Sequence, residues 1–271
     1  MTDPYESVPG IRWSHLKHAA VSLAHYRAAT VQPSTDSDAK TLGRLTHCAV
    51  FEPDEVPLRY VVWRGGRRQG NEWRDFCEAN SAAEIVTESQ WDAACAIRDA
   101  VRSHPEVAPL LAAGRAEQVF TWTDDATGLP CRCKVDWLTD TVAADLKTAR
   151  VISRRGFGNA AASLCYHGQF AYYDRGLKAH GIEVDWSVIA AENAGPVWDV
   201  GCFTVSEDAM WAGDELVTDL LAKVARATQR DEWPGIWPHT AEMPLAAWVY
   251  EAADAAYERK LTGQAPGREA A

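Results

Sequence analysis

The feature that most limits what this chain can fold into lies between Glu117 and Ala149, where the hydrophobic period becomes strand-like and stays so for three consecutive runs. EQVFTWT and LPCRCKVDWL alternate on either side of the turn DDATG, which predicts a β-hairpin, and TVAADLKTA follows a second short turn as a third strand. The chain before this block is helical in pattern. Ser14 to Ala29 reads as an amphipathic helix with Ser14 as cap and Leu16, Ala20, Leu23 and Tyr26 near one face. A polar loop, VQPSTDSD, leads into AKTLGRLTHCAVF, which stops at Glu52 and Pro53. The apolar run RYVVW and the basic loop RGGRRQG come next, and a capping-box pattern from Thr87 to Gln90 opens a helix that closes before Pro105. After the third strand come a helical region from about Ser153 to His180, the strand candidates DWSVIAAEN and VWDVGCFTV joined by AGP, and a long helix from Ser206 to Thr228. That order predicts an α/β fold with a central mixed sheet flanked by helices, because hairpins give antiparallel pairs and a crossover helix returns a parallel strand.

A chain of 271 residues with 47% hydrophobic content can bury one substantial core. The expected organisation is an N-terminal arm at 1–11, a single domain at 12–240, and a C-terminal helix with a disordered tail at 241–271. No run approaches the roughly 18 apolar residues of a membrane span, and MTDPYESVPG lacks the basic and apolar regions of a signal peptide. A cytoplasmic location without a membrane partner is therefore expected. The seven cysteines are odd in number and scattered, as reduced buried thiols would be. Cys131 and Cys133 would share one strand face, but no second pair follows to complete a zinc or iron–sulfur site. The formal charge of −11 argues against nonspecific coating of nucleic acid. It is compatible with a carboxylate pocket bordered by a local basic rim.

The stretch from Asp136 to Lys147 carries the chemistry. Alternation along TVAADLKTA puts Asp145 and Lys147 on one face and Ala144 and Leu146 on the other, so a carboxylate and an ammonium share a face of an otherwise apolar strand. Burying them costs several kcal/mol unless they are paired or bind a metal. A surface strand carrying an Asp–Lys pair fits the same spacing. Phosphodiester hydrolysis is the functional alternative: Asp136 and Asp145 would hold a hard cation such as magnesium, with the Leu146 carbonyl as a third oxygen, while Lys147 orients the attacking water and stabilises developing charge.

Neighbouring motifs complete a pattern. Gly43 and His47 (G-x-x-x-H), Glu117, Gly128 and Asp136, D-L-K-T from Asp145 to Thr148, and Gln169 with Tyr173 (Q-x-x-x-Y) resemble, in this order, the RecB-like branch of the PD-(D/E)XK nucleases. GLPCRCKVDWL with DLKTA, YHGQFAYYDRGL, VIAAEN-x-x-P and W-P-G-x-W-P resembles more closely the RecE-type exodeoxyribonuclease VIII domain, over about Arg12 to Pro238. The resemblance implies a PD-(D/E)XK fold and a magnesium-dependent exonuclease, with manganese substituting, that degrades the 5′-ended strand of duplex DNA ends. The 3′ tail would pass to a RecT-like annealing protein, and the enzyme would form a ring-shaped homo-oligomer. It implies metal binding by His47, Asp136, Asp145 and the Leu146 carbonyl, Lys147 as catalytic lysine, Glu117 as accessory carboxylate, and Gln169 and Tyr173 as positioning groups. Lys134 stands where the family's basic residue precedes the first aspartate, and much of a full-length RecE N-terminal region is absent.

Arg64, Arg67, Arg68 and Arg74, set among glycines, and Arg154 and Arg155 are candidate DNA phosphate contacts, or else solvated loop residues. Glu192 is either DNA-facing or structural. A structure-specific or restriction-like endonuclease and a noncatalytic DNA-end or partner-binding module are the competing readings. An iron–sulfur nuclease of CRISPR adaptation is disfavoured, because no cysteine cluster follows the nuclease motifs.

Overall fold

The computed structural model describes residues 4–32 and 36–262, and the tail expected to be disordered, from residue 263, lies outside them. Contacts divide the chain into one compact unit ending at Trp233 and a second beginning at Pro234. In order, the first unit contains α1 (Leu23–Val31), α2 (Asp38–Phe51), β1 (Tyr60–Trp63), α3 (Gly70–Ala79), β2 (Glu84–Thr87), α4 (Glu88–Ser103), β3 (Arg115–Thr123), β4 (Pro130–Leu138) and β5 (Val142–Ala149). It continues with α5 (Arg154–Ser163), α6 (Tyr166–Lys178), β6 (Asp185–Glu192), β7 (Val200–Thr204) and α7 (Glu207–Arg230). The second unit contains α8 (Ala247–Thr262). No described helix is long and apolar enough to cross a membrane.

Strands β3 to β7 form a mixed sheet in sequence order, with β5 and β6 parallel along their length and the other pairs antiparallel. This is the expected α/β arrangement. One face, carrying Cys131, Cys133, Val135 and Val188, packs on Phe170 and Leu177 of α6 and Val217 and Leu221 of α7. The α6–α7 approach is close: a Cβ at Gly213 would overlap the His167 carbonyl. The opposite face, with Ala144, Leu146 and Ile189, packs on Val50 and Phe51 of α2 and Ile97 and Val101 of α4. Burial on both faces explains the nearly continuous apolar run of β6.

The chain departs from its sequence pattern in three places. The helix expected from Ser14 to Ala29 is broken into Trp13–Leu16, a 3-10 turn at Lys17–Ala20, and α1, because the Ser22 hydroxyl accepts the His25 N–H at 3.2 Å and caps a new helix. The helical region expected from Ser153 to His180 is two helices, divided at Cys165, whose φ of 55° no helix interior accommodates. Finally, α3 and β2 were not anticipated: β1, α3 and β2 make a small parallel β-α-β unit, registered Tyr60 to Glu84, with the basic loop at the end of β1. The helix from Glu88 has its expected capping box, in which Gln90 N–H reaches the Thr87 hydroxyl and the Gln90 side chain returns to the Thr87 N–H.

Candidate active site

The site grows from a fork in the sheet. β4 and β5 pair only at Trp137–Ala144 and Leu138–Ala143; beyond that point they separate. The freed edge of β4 is occupied instead by Ile11, whose N–H donates to Pro130 O and whose carbonyl accepts from Arg132 N–H, each at 2.8 Å. At the crotch of the fork, β4 turns over. Val135 and Trp137, two apart and therefore expected on one face, enter opposite cores. The turnover brings the Asp136 carboxylate to the strand edge, where Oδ2 accepts the Leu146 N–H at 3.1 Å, a donor that a continuous ladder would have satisfied. A strand residue's N–H and C=O project to the same edge, so the Leu146 carbonyl also faces the fork.

Glu117 belongs to the same irregularity. Ala116 pairs with Trp137 and Gln118 with Val135, which sets Glu117 directly across from Asp136. It holds a left-handed backbone with φ 53°, strain of about 1–3 kcal/mol for a residue with a side chain. Its carboxylate forms a close ion pair with Lys134 and, with His47 and Asp136, places ligand atoms within 4.8 Å of one another. His47 arrives from the other direction, on α2, with Nδ1 at 3.2 Å from Asp136 Oδ2.

On β5, Asp145 and Lys147 share one face, as the alternation predicts, and their charged atoms are 2.6 Å apart. Gln169 on α6 bridges them, donating its amide N–H to Asp145 Oδ1 at 2.7 Å and accepting from Lys147 Nζ at 3.0 Å. The Lys147 ammonium also lies 4.9 Å from the centre of the Tyr166 ring. Tyr173, one turn after Gln169 on α6, packs against Tyr172 and against Trp186 of β6, and burial first, then the charges of Asp145 and Asp136, hold its hydroxyl in the neutral form.

Burial and shared charge set the protonation states. Burial, helped by the charge of Asp136 and opposed by Lys147, pushes the Asp145 carboxyl up to about 6. Burial acts on Asp136 in the same sense, but His47, Lys147 and the Leu146 N–H outweigh it and hold the carboxyl below its usual range. His47 and Lys147 resist burial through these carboxylates, and both are held above their ordinary values. Glu117 is raised, by burial first and then by Asp136, against the pull of Lys134.

His47, Glu117, Asp136, Asp145, Leu146, Lys147 and Gln169 therefore line one fork, with Tyr173 beside it. The donor cluster differs from the set inferred from sequence: Glu117 joins His47 and Asp136, while Asp145 is engaged by Lys147 and Gln169. The buried Asp145 Oδ2 has the Lys147 ammonium against it at 2.6 Å. Carboxylate oxygens and one imidazole, with no thiolate among them, suit a hard divalent cation. Tyr166 escaped the sequence reading because an aromatic at a helix start carries no signal until tertiary packing sets it under a lysine.

The arginines lie outside these contacts. Arg64 faces Glu88 at 3.8 Å and Arg74 faces Asp75 at 3.1 Å, Arg68 stacks 5.5 Å from the Trp73 ring, Arg67 is exposed, and Arg154 and Arg155 are exposed in the first turn of α5. Arg64 and Arg68 line one cavity at the end of β1. Glu192 accepts the Ile152 N–H at 3.5 Å, a structural contact.

Residues 13–240 match a family described as a PDDEXK-like domain of unknown function (DUF3799). No curated protein matches the sequence. Among solved structures, that of a candidate exonuclease from Eubacterium rectale superposes with a TM-score of 0.60, covering 93% of this chain and 99% of that one at 11% identity. Likeness at that identity speaks to the fold.

Proposed function

Given that the chain belongs to the PDDEXK-like family DUF3799, we propose that it is a magnesium-dependent exonuclease that resects duplex DNA ends in the 5′-to-3′ direction and leaves 3′ single-stranded tails. The observation carrying this reading is the convergence of Asp136, Asp145 and Lys147 on one fork, with His47 and Glu117 beside them. The exonuclease name of the structurally similar protein favours digestion from ends over internal cutting. The family resemblance extends the proposal to a RecT-like annealing partner and a ring-shaped homo-oligomer.

His47, Glu117, Asp136, Asp145 and the Leu146 carbonyl would hold a divalent cation, which would supply neutralisation of phosphate charge and a lowered pKa for water. The chain's own groups do the rest. Lys147 remains an ammonium between two carboxylates, so its N–H groups are placed to donate to a phosphate oxygen and to orient the attacking water. Gln169 fixes the Asp145–Lys147 pair from both sides. The Tyr166 ring limits how far the ammonium can swing. Asp136, tied to the Leu146 N–H, stays ionised.

Digestion of end-labelled linear duplex and covalently closed circular DNA, with magnesium or calcium and with wild type or Lys147→Ala, tests the proposal. The expected result is magnesium-dependent release of nucleotides from the 5′-ended strand of the linear substrate, an intact circle, and no release by the variant. Cutting of the circle would instead assign an endonuclease, and binding of ends without hydrolysis a noncatalytic module.

A further inference from the structure

One cation near the fork has no role in the chemistry above. Lys17 is half-buried in the turn after Trp13–Leu16 and makes no ion pair among the described residues. Its location is set by Trp13, four residues earlier and hence on the same side of the turn. The Trp13 ring lies against Gly168, where a Cβ would overlap it, and 6.0 Å from the Tyr172 ring. Trp13 thus fastens this turn to the start of α6, the stretch that presents Tyr166 and Gln169 to Lys147. Tyr172 adds a second tie by donating its hydroxyl to the Ile11 carbonyl at 2.5 Å.

The electrostatic surroundings of Lys17 are consistent with that placement. After burial itself, the strongest influence on its ammonium is the charge of Lys147, followed by the Cys165 thiol at the start of α6 and by Lys40. Lys147 is already held by Asp145, at 2.6 Å, and by the charge of Asp136. Lys17 has no ion-pair partner among the described residues, and a half-buried ammonium without one gains from an anion brought beside it.

We infer that Lys17 is a second cationic contact for substrate, binding a non-bridging oxygen of a DNA phosphate beside the one that Lys147 faces. This inference rests on the nuclease reading and names how the same cleft grips the strand. A flexible point charge suits a phosphate whose orientation changes as the strand advances. The phosphate is either an internal diester or a terminal monoester, which present the same oxygens.

The test is duplex binding followed by fluorescence anisotropy in a chelator, over about 50 to 200 mM salt, for wild type, Lys17→Met and Lys17→Arg. Each phosphate neutralised adds about 0.9 to the slope of log affinity against log salt, so Lys17→Met should lose that amount and bind about 8-fold more weakly near 0.1 M salt. Lys17→Arg should retain both. Methionine keeps the apolar stem, and thermal melting checks that the variant is folded; should it unfold, Lys17→Gln takes its place. Loss confined to 5′-phosphorylated ends assigns the terminal monoester, and loss also with 5′-hydroxyl ends assigns the internal diester. Unchanged slope and affinity in a folded variant would overturn the inference while leaving the nuclease reading intact. Wild type that neither binds nor cuts duplex would remove both.

Discussion

Two Asp–Lys ion pairs of nearly equal length invite comparison, Asp145–Lys147 at 2.6 Å and Asp174–Lys178 at 2.8 Å. Residue type and distance scarcely distinguish them. The first joins residues two apart on a central strand, with side chains 2% and 16% exposed. The second joins residues one turn apart on α6, with the lysine 61% exposed. Asp174 satisfies its other oxygen on the Trp186 indole at 3.2 Å, whereas Asp145 shares its surroundings with Asp136, His47 and Gln169. A pair whose lysine stands in water and whose buried carboxylate keeps a second donor is a small contribution to helix stability. A pair crowded with like charges and cut off from water stores electrostatic tension that a cation and a phosphate can relieve.

The widest separation between the pairs is expected in turnover. Lys147→Ala should reduce cleavage by about 10²- to 10⁴-fold, the range for a group acting only on the reacting atoms, and Lys178→Ala should leave cleavage unchanged in the same end-labelled assay. Equal losses would mean that burial is not what marks the site.

The next effect concerns pH. The Asp145 carboxyl titrates near 6 in the folded protein and near 3.8 when unfolded, so between those values the folded chain holds the proton more tightly. Stability of the metal-free protein should therefore decline as pH rises from about 4 to about 6, by up to about 3 kcal/mol from this group. His47, raised above 6.5, loses its contribution at higher pH, and Asp136, lowered, loses its own only as pH falls below about 3.8. Asp145→Asn should flatten the slope between pH 4 and 6 in chemical denaturation, whatever its constant offset; an unchanged slope would place the ionisation elsewhere.

Smaller still is the strain at Glu117. Glu117→Gly frees a left-handed backbone and should raise stability by about 0.5 to 1 kcal/mol, seen as a higher Tm, while cleavage falls. A lower Tm would show that the Lys134 ion pair outweighs the strain. Smallest is Lys178→Ala, with a stability cost of about 0.3 to 0.5 kcal/mol in the same melts, as for a helical i,i+4 pair whose lysine is exposed and whose carboxylate keeps the Trp186 indole as donor.

Much of the sheet could be read directly, because β3, β4 and β5 carry strand-like apolar runs separated by turn residues, and Thr87 and Gln90 form a capping box from local residues alone. The breaks were harder to see. Ser22 as a cap and a serine inside a helix look the same in sequence, and Cys165 in the left-handed region carries no glycine to announce it. α3 opens on a glycine with φ 82° and exposes most of its surface, so its apolar stripe of Trp73, Phe76 and Cys77 is too short to stand out. Within the site, Asp145 and Lys147 were legible from their spacing. The directness of the Glu117–Asp136 opposition was not, since it depends on hairpin register and on the turnover at Asp136. Tyr166 depends on how α6 meets β5, and Lys17 on how the N-terminal turn meets α6, long-range contacts that no local pattern encodes.

Calorimetric titration of chelator-treated protein with manganese, for wild type and Asp136→Asn, tests most directly whether this fork is a metal-binding catalytic centre. Saturable binding by wild type that is lost in the folded variant is the predicted result. Equal binding by both proteins, or none by wild type, would contradict it.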